Sequence, residues 1–156
     1  MAIVRDATIE DANIIYKNMR EIDQIECNMV SGGDGLQSLM NGIENGLLCR
    51  TVVYQGRPVS MYGVTPTEKD NMGLVWLLGT DETRKASDIL VKKSKEILDE
   101  MLDIRPIIFN YVSVLNRTSI KWLKAIGFSF KPDPVIYGVA RGKFYLFYKM
   151  KEVNHV

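Results

Sequence analysis

The reactive side chains are few. Cys27 and Cys49 lie in different segments, without CxxC spacing or nearby histidines, so they read as plain thiols and not as a zinc site or a disulfide framework. His155 is the only histidine and stands one residue from the C-terminus, where chains are usually loose. Histidine-activated nucleophiles and histidine metal sites are therefore not expected, and no metal is assigned. The chemistry that remains is chemistry of positioning. Tyr111 and Ser113 alternate onto one face of "NYVSV", and Arg84, Lys85, Ala86, Ser87 and Asp88 crowd the start of a long helical pattern. The stretch "NYVSVLNRTSIKWLKAIGFSF" could build a ligand site or merely close a core.

The elements that must hold these residues can be read from periodicity. "AIVRDAT" reads as a strand. "TIEDANIIYKNMREID" reads as one helix opened by Thr8, with Ala12, Ile15 and Met19 at helical spacing. "SGGDGLQSLMNGIENG" reads as a second, with Leu36, Leu39, Met40 and Ile43 on one face and a stop at Gly46. Two β-rich runs turning at "QGRP" form a hairpin, and "MGLVWLLG" adds a third strand. "DETRKASDILVKKSKEILDEMLD" is the longest helix. "RPIIFNYVSVL" is apolar enough for a central, partly parallel strand. "NRTSIKWLKAI" makes a short helix, and "VIYGVARGKFYLFYKM" a last hairpin turning at Arg141-Gly142. The expected order is β-α-α-β-β-β-α-β-α-β-β, a single α/β (α+β) domain over residues 1–156, with a mixed, mostly antiparallel sheet flanked by helices.

Bulk composition agrees with one soluble domain. At 156 residues a chain can bury roughly 68–70% of its unfolded surface, so it needs no staple. The 46% hydrophobic and 25% charged content is ordinary for a globular protein. A net charge of +1 offers no global field for nucleic acid or an anionic membrane, so any polyanion site must be local. The first residues are too acidic for a signal peptide, and no run approaches the ~18 apolar residues of a membrane span. A cytoplasmic protein is expected.

"IVRDATIEDANII" and "NRTSIKWLKAIGF", joined to this element order, resemble the GNAT superfamily of acetyl-CoA-dependent N-acetyltransferases over nearly the whole chain. Asn116, Ser119, Gly127 and Phe128 fall at the matching positions of the late segment. The closest look is to small GNAT-like proteins of short-tailed phages, some of them internal virion proteins and some acetyltransferases.

The resemblance implies acetyl-CoA as cofactor, lying in a gap between "GLVWLLG" and "IIFNYVSV". Leu77, Leu78 and Gly79 would offer a strand edge to its amides, Gly79 being either a bulge that starts the splay or a strand end. Arg84, Lys85, Ala86, Ser87 and Asp88 match the pyrophosphate turn, but Ser87 and Ile89 replace its glycines and Asp88 would repel the anion. Asn116, Ser119 and Leu123 would line the cofactor from the late helix, with Leu123 where many members carry a tyrosine acid. Tyr111 and Ser113 would order a water acting as base, with Glu26 or Tyr62 contributing from the substrate side.

The partners so implied are an amine substrate, including a host protein if the chain is phage-encoded, and a homodimer mate. The site would then lie in host cytoplasm or a virion. The alternative is a GNAT-like scaffold without catalysis, which side chains filling the gap between residues 73–79 and 107–114 would favour. Neither membrane nor nucleic acid is expected as a partner. Without any ligand, Asn116 serves as an N-cap, Gly127 as a left-handed helix stop and Phe128 as its contact with Leu123. Trp122 points off the apolar stripe, toward a sheet edge, a groove or a partner.

Overall fold

A computed structural model describes residues 2–152, so His155 lies outside the described residues. Its strands are β1 (Ala2–Asp6), β2 (Leu48–Tyr54), β3 (Arg57–Pro66), β4 (Met72–Gly79), β5 (Ile107–Ser113), β6 (Ser129–Phe130), β7 (Val135–Tyr137) and β8 (Gly142–Met150). Its helices are α1 (Ile9–Lys17), α2 (Glu21–Ser31), α3 (Gly35–Asn45), α4 (Ser87–Ile104) and α5 (Arg117–Ala125), with a 3-10 turn at Asp81–Ala86. One sheet runs β1-β2-β3-β4-β5-β8-β6, with β7 also on β8; only β4 and β5 are parallel. The mixed, mostly antiparallel sheet flanked by helices is as the sequence indicated.

Three details differ from the sequence reading. The helix expected over residues 8–23 is two. Asn18 caps α1, Met19 bridges to Thr80, and the Arg20 N–H donates to the Gly79 carbonyl at 2.9 Å. The apolar period runs on past Lys17, but the backbone leaves the helix to pair with the end of β4, and the acids Glu21 and Asp23 mark the fresh start of α2. The two-residue β6 is also additional. Finally, the long helix expected over residues 81–103 starts only at Ser87, residues 81–86 being wound as a 3-10 turn, while the aromatic strand β8 lies inside the sheet between β5 and β6, in keeping with its apolar character on both faces.

Side chains alternate between two cores. Ala12, Ile15, Leu39 and Met61 pack beneath α1 and α3. Tyr62, Val75, Leu98, Ile108, Val112 and Phe147 pack beneath α4 and α5 on the opposite face. The β2–β3 turn places Gln55 and Gly56 at φ of 51° and 78°, the twist that a two-residue hairpin requires. Arg5 and Asp11 lock α1 to β1 with contacts of 2.6 and 2.8 Å, and Asp11 also accepts from the Thr8 N–H and the Thr51 hydroxyl. Burial alone would push the Asp11 carboxyl up; Arg5, Thr8 and Thr51 outweigh it and bring the carboxyl down to about 2.

Candidate functional site

The site is built where β4 and β5 part. They pair only at Met72–Ile107, Gly73–Ile108 and Leu74–Phe109. Beyond Leu74 the strands diverge, and the Asn110 side chain fills the apex. Its Nδ2 donates to the Val75 carbonyl at 2.6 Å, and its Oδ1 accepts from the Tyr111 N–H at 2.7 Å. An amide has both functions, so it replaces the two ladder bonds lost by the splay.

Helix α2 closes the wider end. Asp23, buried and paired with Arg20 at 2.8 Å, accepts from the Gly79 N–H at 2.9 Å. One turn later, Glu26 accepts from the Ser113 N–H at 3.3 Å and from Asn116 Nδ2 at 3.0 Å. The two carboxylates thus hold the far ends of the two diverging strands. Burial pushes the Glu26 carboxyl above its usual range; the bonds from Asn116 and Ser113 and the charge of Arg20 offset this in part, while the charge of Asp23 adds to it.

Backbone parity identifies what remains free. Val75 and Gly79 direct their groups into the gap, so Leu77, two residues from each, does the same; neither its N–H nor its C=O finds a partner among the described residues. Leu78 has the other parity and faces β3, opposite Met61, so it does not offer the open edge expected of it. Gly79 is the strand end, not the start of the splay, which begins five residues earlier. A Cβ there would meet the Thr83 hydroxyl, and would stand 2.9 Å from Ser60 Cβ.

The other expected residues are dispersed. Ser113 is buried and its Oγ accepts from the Leu115 N–H at 3.2 Å, while the Tyr111 ring stacks on Tyr137 at 3.9 Å and 18°. Ser113 Oγ is thus engaged in the turn after β5, and the Tyr111 ring in a stack. Tyr62 is buried on the α4 face, where burial lifts its hydroxyl to about 12. Asn116 is committed at both ends, its Oδ1 capping Ser119 N–H at 3.2 Å and its Nδ2 held by Glu26. Leu123 and Trp122 are half-buried and line an apolar cleft of about 70 Å3 between β4, α4 and α5, so of the settings expected for Trp122 the groove is the one found.

The turn before α4 is wound as 3-10 structure. Thr80 caps it by accepting from the Glu82 N–H at 3.2 Å, Ser87 Oγ donates back to the Arg84 carbonyl at 2.6 Å, and Ala86 is buried. Lys85 leans toward Glu82, which also binds Arg57. Arg84 and Asp88 are exposed. The N–H groups of Glu82, Thr83 and Ser87 bond within the turn and glycines are absent, so this stretch is less open than the nest that glycines would allow.

Comparisons with known proteins bear on the whole arrangement. An acetyltransferase of the GNAT family from Streptococcus pneumoniae superposes with TM-score 0.64 at 10% identity, covering 97% of this chain and 100% of its own. The fold is that of the GNAT acetyltransferases. A ribosomal-protein-alanine N-acetyltransferase from Brucella melitensis matches this GNAT fold with TM-score 0.69 at 16% identity, over 95% and 99% of the two chains. An aminoglycoside acetyltransferase in complex with coenzyme A matches with TM-score 0.65 at 12% identity, over 96% and 95%. Residues 59–133, just under half the chain, match a family model described as bacteriophage T7, probable scaffold protein Gp13. No curated protein matches in sequence. No helix among the described residues is long and apolar enough to cross a membrane.

The residue that sequence reasoning undervalued is Asn110. A lone amide in the apolar run "IIFNYVSV" was the available signal. Asp23 was missed because its contact with Gly79 spans 56 positions and depends on where α2 begins.

Proposed function

We propose that the chain binds acetyl-CoA in the β4–β5 gap and transfers its acetyl group to an amine of a protein or small molecule. The observation that carries this reading is the unpaired Leu77 N–H and C=O in a gap closed at its wide end by Glu26. A strand edge left free in this way can take pantetheine amides as it would an added strand. The bound thioester would supply an activated acetyl group. The chain's own contribution is then the Leu77 edge to align it, the apolar cleft of Trp122 and Leu123 to exclude water, and the Glu26 carboxyl to hold the proton lost by the amine. A carboxyl raised by burial is suited to that last task. The fit is partial, because the 81–86 turn lacks glycines and uses several of its N–H groups itself; Arg84 and Lys85 are its exposed cations.

A thermal titration with acetyl-CoA tests the reading. At ~100 times Kd a ligand adds about 2.7 kcal/mol, roughly a 5–11 °C rise in a domain of this size. Glu26→Gln should keep this rise and lose acetyl transfer to a test amine by ~100-fold or more. No rise at millimolar acetyl-CoA would overturn it.

A second reading, a GNAT-fold scaffold without catalysis, is favoured by the occupied donors of the 81–86 turn and by the match to the T7 scaffold-protein family over that same stretch. It expects no acetyl-CoA rise, and recovery of the chain from purified virions if it is phage-encoded. Acetylation of a host protein would instead follow from the first reading.

A further inference from the structure

A second concave site lies across α5 from the apolar cleft. It is an open groove of about 660 Å3 lined by Arg117, Ile120, Lys124, Phe130, Lys131 and Tyr145, within the size range of ordinary ligand sites. Only Phe128 borders both sites. No carboxylate lines the groove. Arg117, Lys124 and Lys131 are exposed, and none is in an ion pair among the described residues.

The near-neutral net charge hides this local field. Between Arg105 and Glu152 there are nine Lys and Arg residues, of which Arg105 and Lys151 pair with Asp70 and Asp103, against two acids, Asp133 and Glu152, neither of which lines the groove. Cation and ring are neighbours here, with Lys124 Nζ 5.4 Å from the Phe130 ring centre inside the groove and Lys131 Nζ 5.7 Å from that of Tyr148, which lies outside its lining. Cations without carboxylate partners beside half-buried aromatic rings, Phe130 and Tyr145, are the two components that single-stranded nucleic acids and nucleotides require, one for phosphate and one for the base, which would displace Lys124 from the Phe130 ring.

We infer that the groove between α5 and strands β6 and β8 binds a nucleotide unit, with phosphate on Arg117, Lys124 and Lys131 and the base against Phe130 and Tyr145. The nucleotide is either free or part of a single strand. The site is independent of the acyl-transfer reading.

Fluorescence anisotropy with a labelled twelve-residue oligothymidylate, with AMP as competitor, tests this on the full chain. Three phosphate contacts predict a salt slope near −2, hence an about 20-fold weakening between 50 and 200 mM salt. The triple variant R117A/K124A/K131A should lose tenfold or more while its melting curve holds, since all three side chains are exposed. Phe130→Leu should weaken binding about fivefold through lost stacking, and K92A/K93A, on the outer face of α4, should leave it unchanged. Displacement of the oligonucleotide by millimolar AMP assigns a free nucleotide; intact oligonucleotide binding without displacement assigns a single strand. No binding at 50 mM salt, binding unaltered in the triple variant, or inorganic polyphosphate binding as tightly as the oligonucleotide would each overturn the inference.

Discussion

Replacing Asn110 by alanine removes the one side chain that bridges the diverging strands. Two backbone groups lose their partners, the Val75 carbonyl held at 2.6 Å and the Tyr111 N–H held at 2.7 Å. A buried polar group left unsatisfied costs about 1–3 kcal/mol. Both groups face the gap, which water can enter once the amide is gone, so the low end applies and the sum is about 2 kcal/mol. In a domain of this size that lowers Tm by roughly 4–8 °C, and at an m-value of about 2 kcal/mol/M it moves a urea midpoint by about 1 M. Hydrogen exchange should locate the effect, with the Tyr111 amide losing protection before its neighbours in the β5–β8 ladder. Asn110→Asp sharpens the test. It keeps an acceptor for Tyr111 but sets a carboxylate against the Val75 carbonyl, so it should cost more than alanine at pH 7 and recover near pH 4, where the protonated acid can donate. A loss under ~0.5 kcal/mol in the alanine variant, or an aspartate variant as stable as the wild type at pH 7, would refute the idea that the amide stands in for the missing ladder.

Three further outcomes are expected. Asp11→Asn should cost about 2 kcal/mol at pH 7, because a carboxyl brought from its unfolded 3.8 to about 2 contributes stability that is present above the unfolded value and lost as pH falls through the folded one. Urea midpoints for wild type and variant should therefore converge between pH 4 and 2. Glu26 runs the opposite way: its carboxyl is raised on folding, so wild-type stability should fall as pH rises above about 4.5, and Glu26→Gln should abolish that part of the fall in a pH series of melts. Gly127→Ala should lower stability by about 1–2 kcal/mol in urea, since residue 127 has φ of 108°, closed to an L side chain without strain; an unchanged midpoint would mean that the α5 terminus does not depend on it.

Features whose determinants are local were legible in the sequence. The end of α5 is the plainest, with the Gly127 N–H reaching the Lys124 carbonyl at 3.2 Å and the Phe128 N–H reaching that of Leu123 at 3.0 Å, as the Gly-Phe pair after an apolar stripe indicated. The Asn116 cap and the turn at Gln55-Gly56 are of the same kind. Of the three settings that spacing left open for Trp122, the structure selects the groove, against α4 and β4. The α1–α2 corner was merged into one helix because apolar spacing continued through Met19, whereas the break is imposed from outside by the Gly79 carbonyl. No local pattern contains that partner.

The same distinction decides how the site should be understood. Local sequence shows that residues 84–89 lack glycines, and the structure gives a 3-10 segment at 81–86, where the sequence reading has helix, with the Thr80 and Ser87 hydroxyls bonded within it. What sequence could not give is that α2 reaches across both strands, Asp23 onto β4 and Glu26 onto β5. These contacts make the gap a closed frame in which Leu77, by parity, retains an unmet donor and acceptor among the described residues. A ligand entering it gains two backbone bonds worth about 0.5–1.5 kcal/mol each and the burial of its apolar length, but little from a phosphate. If acetyl-CoA binds as proposed, the gap should favour its pantetheine end over the nucleotide end. Truncating the nucleotide should accordingly weaken binding far less here than in a GNAT protein with a glycine-rich turn, and a pantetheine thioester titrated against acetyl-CoA would measure that difference. Equal affinities would support the frame as described, and a hundredfold preference for the intact cofactor would return the 81–86 turn to the binding site.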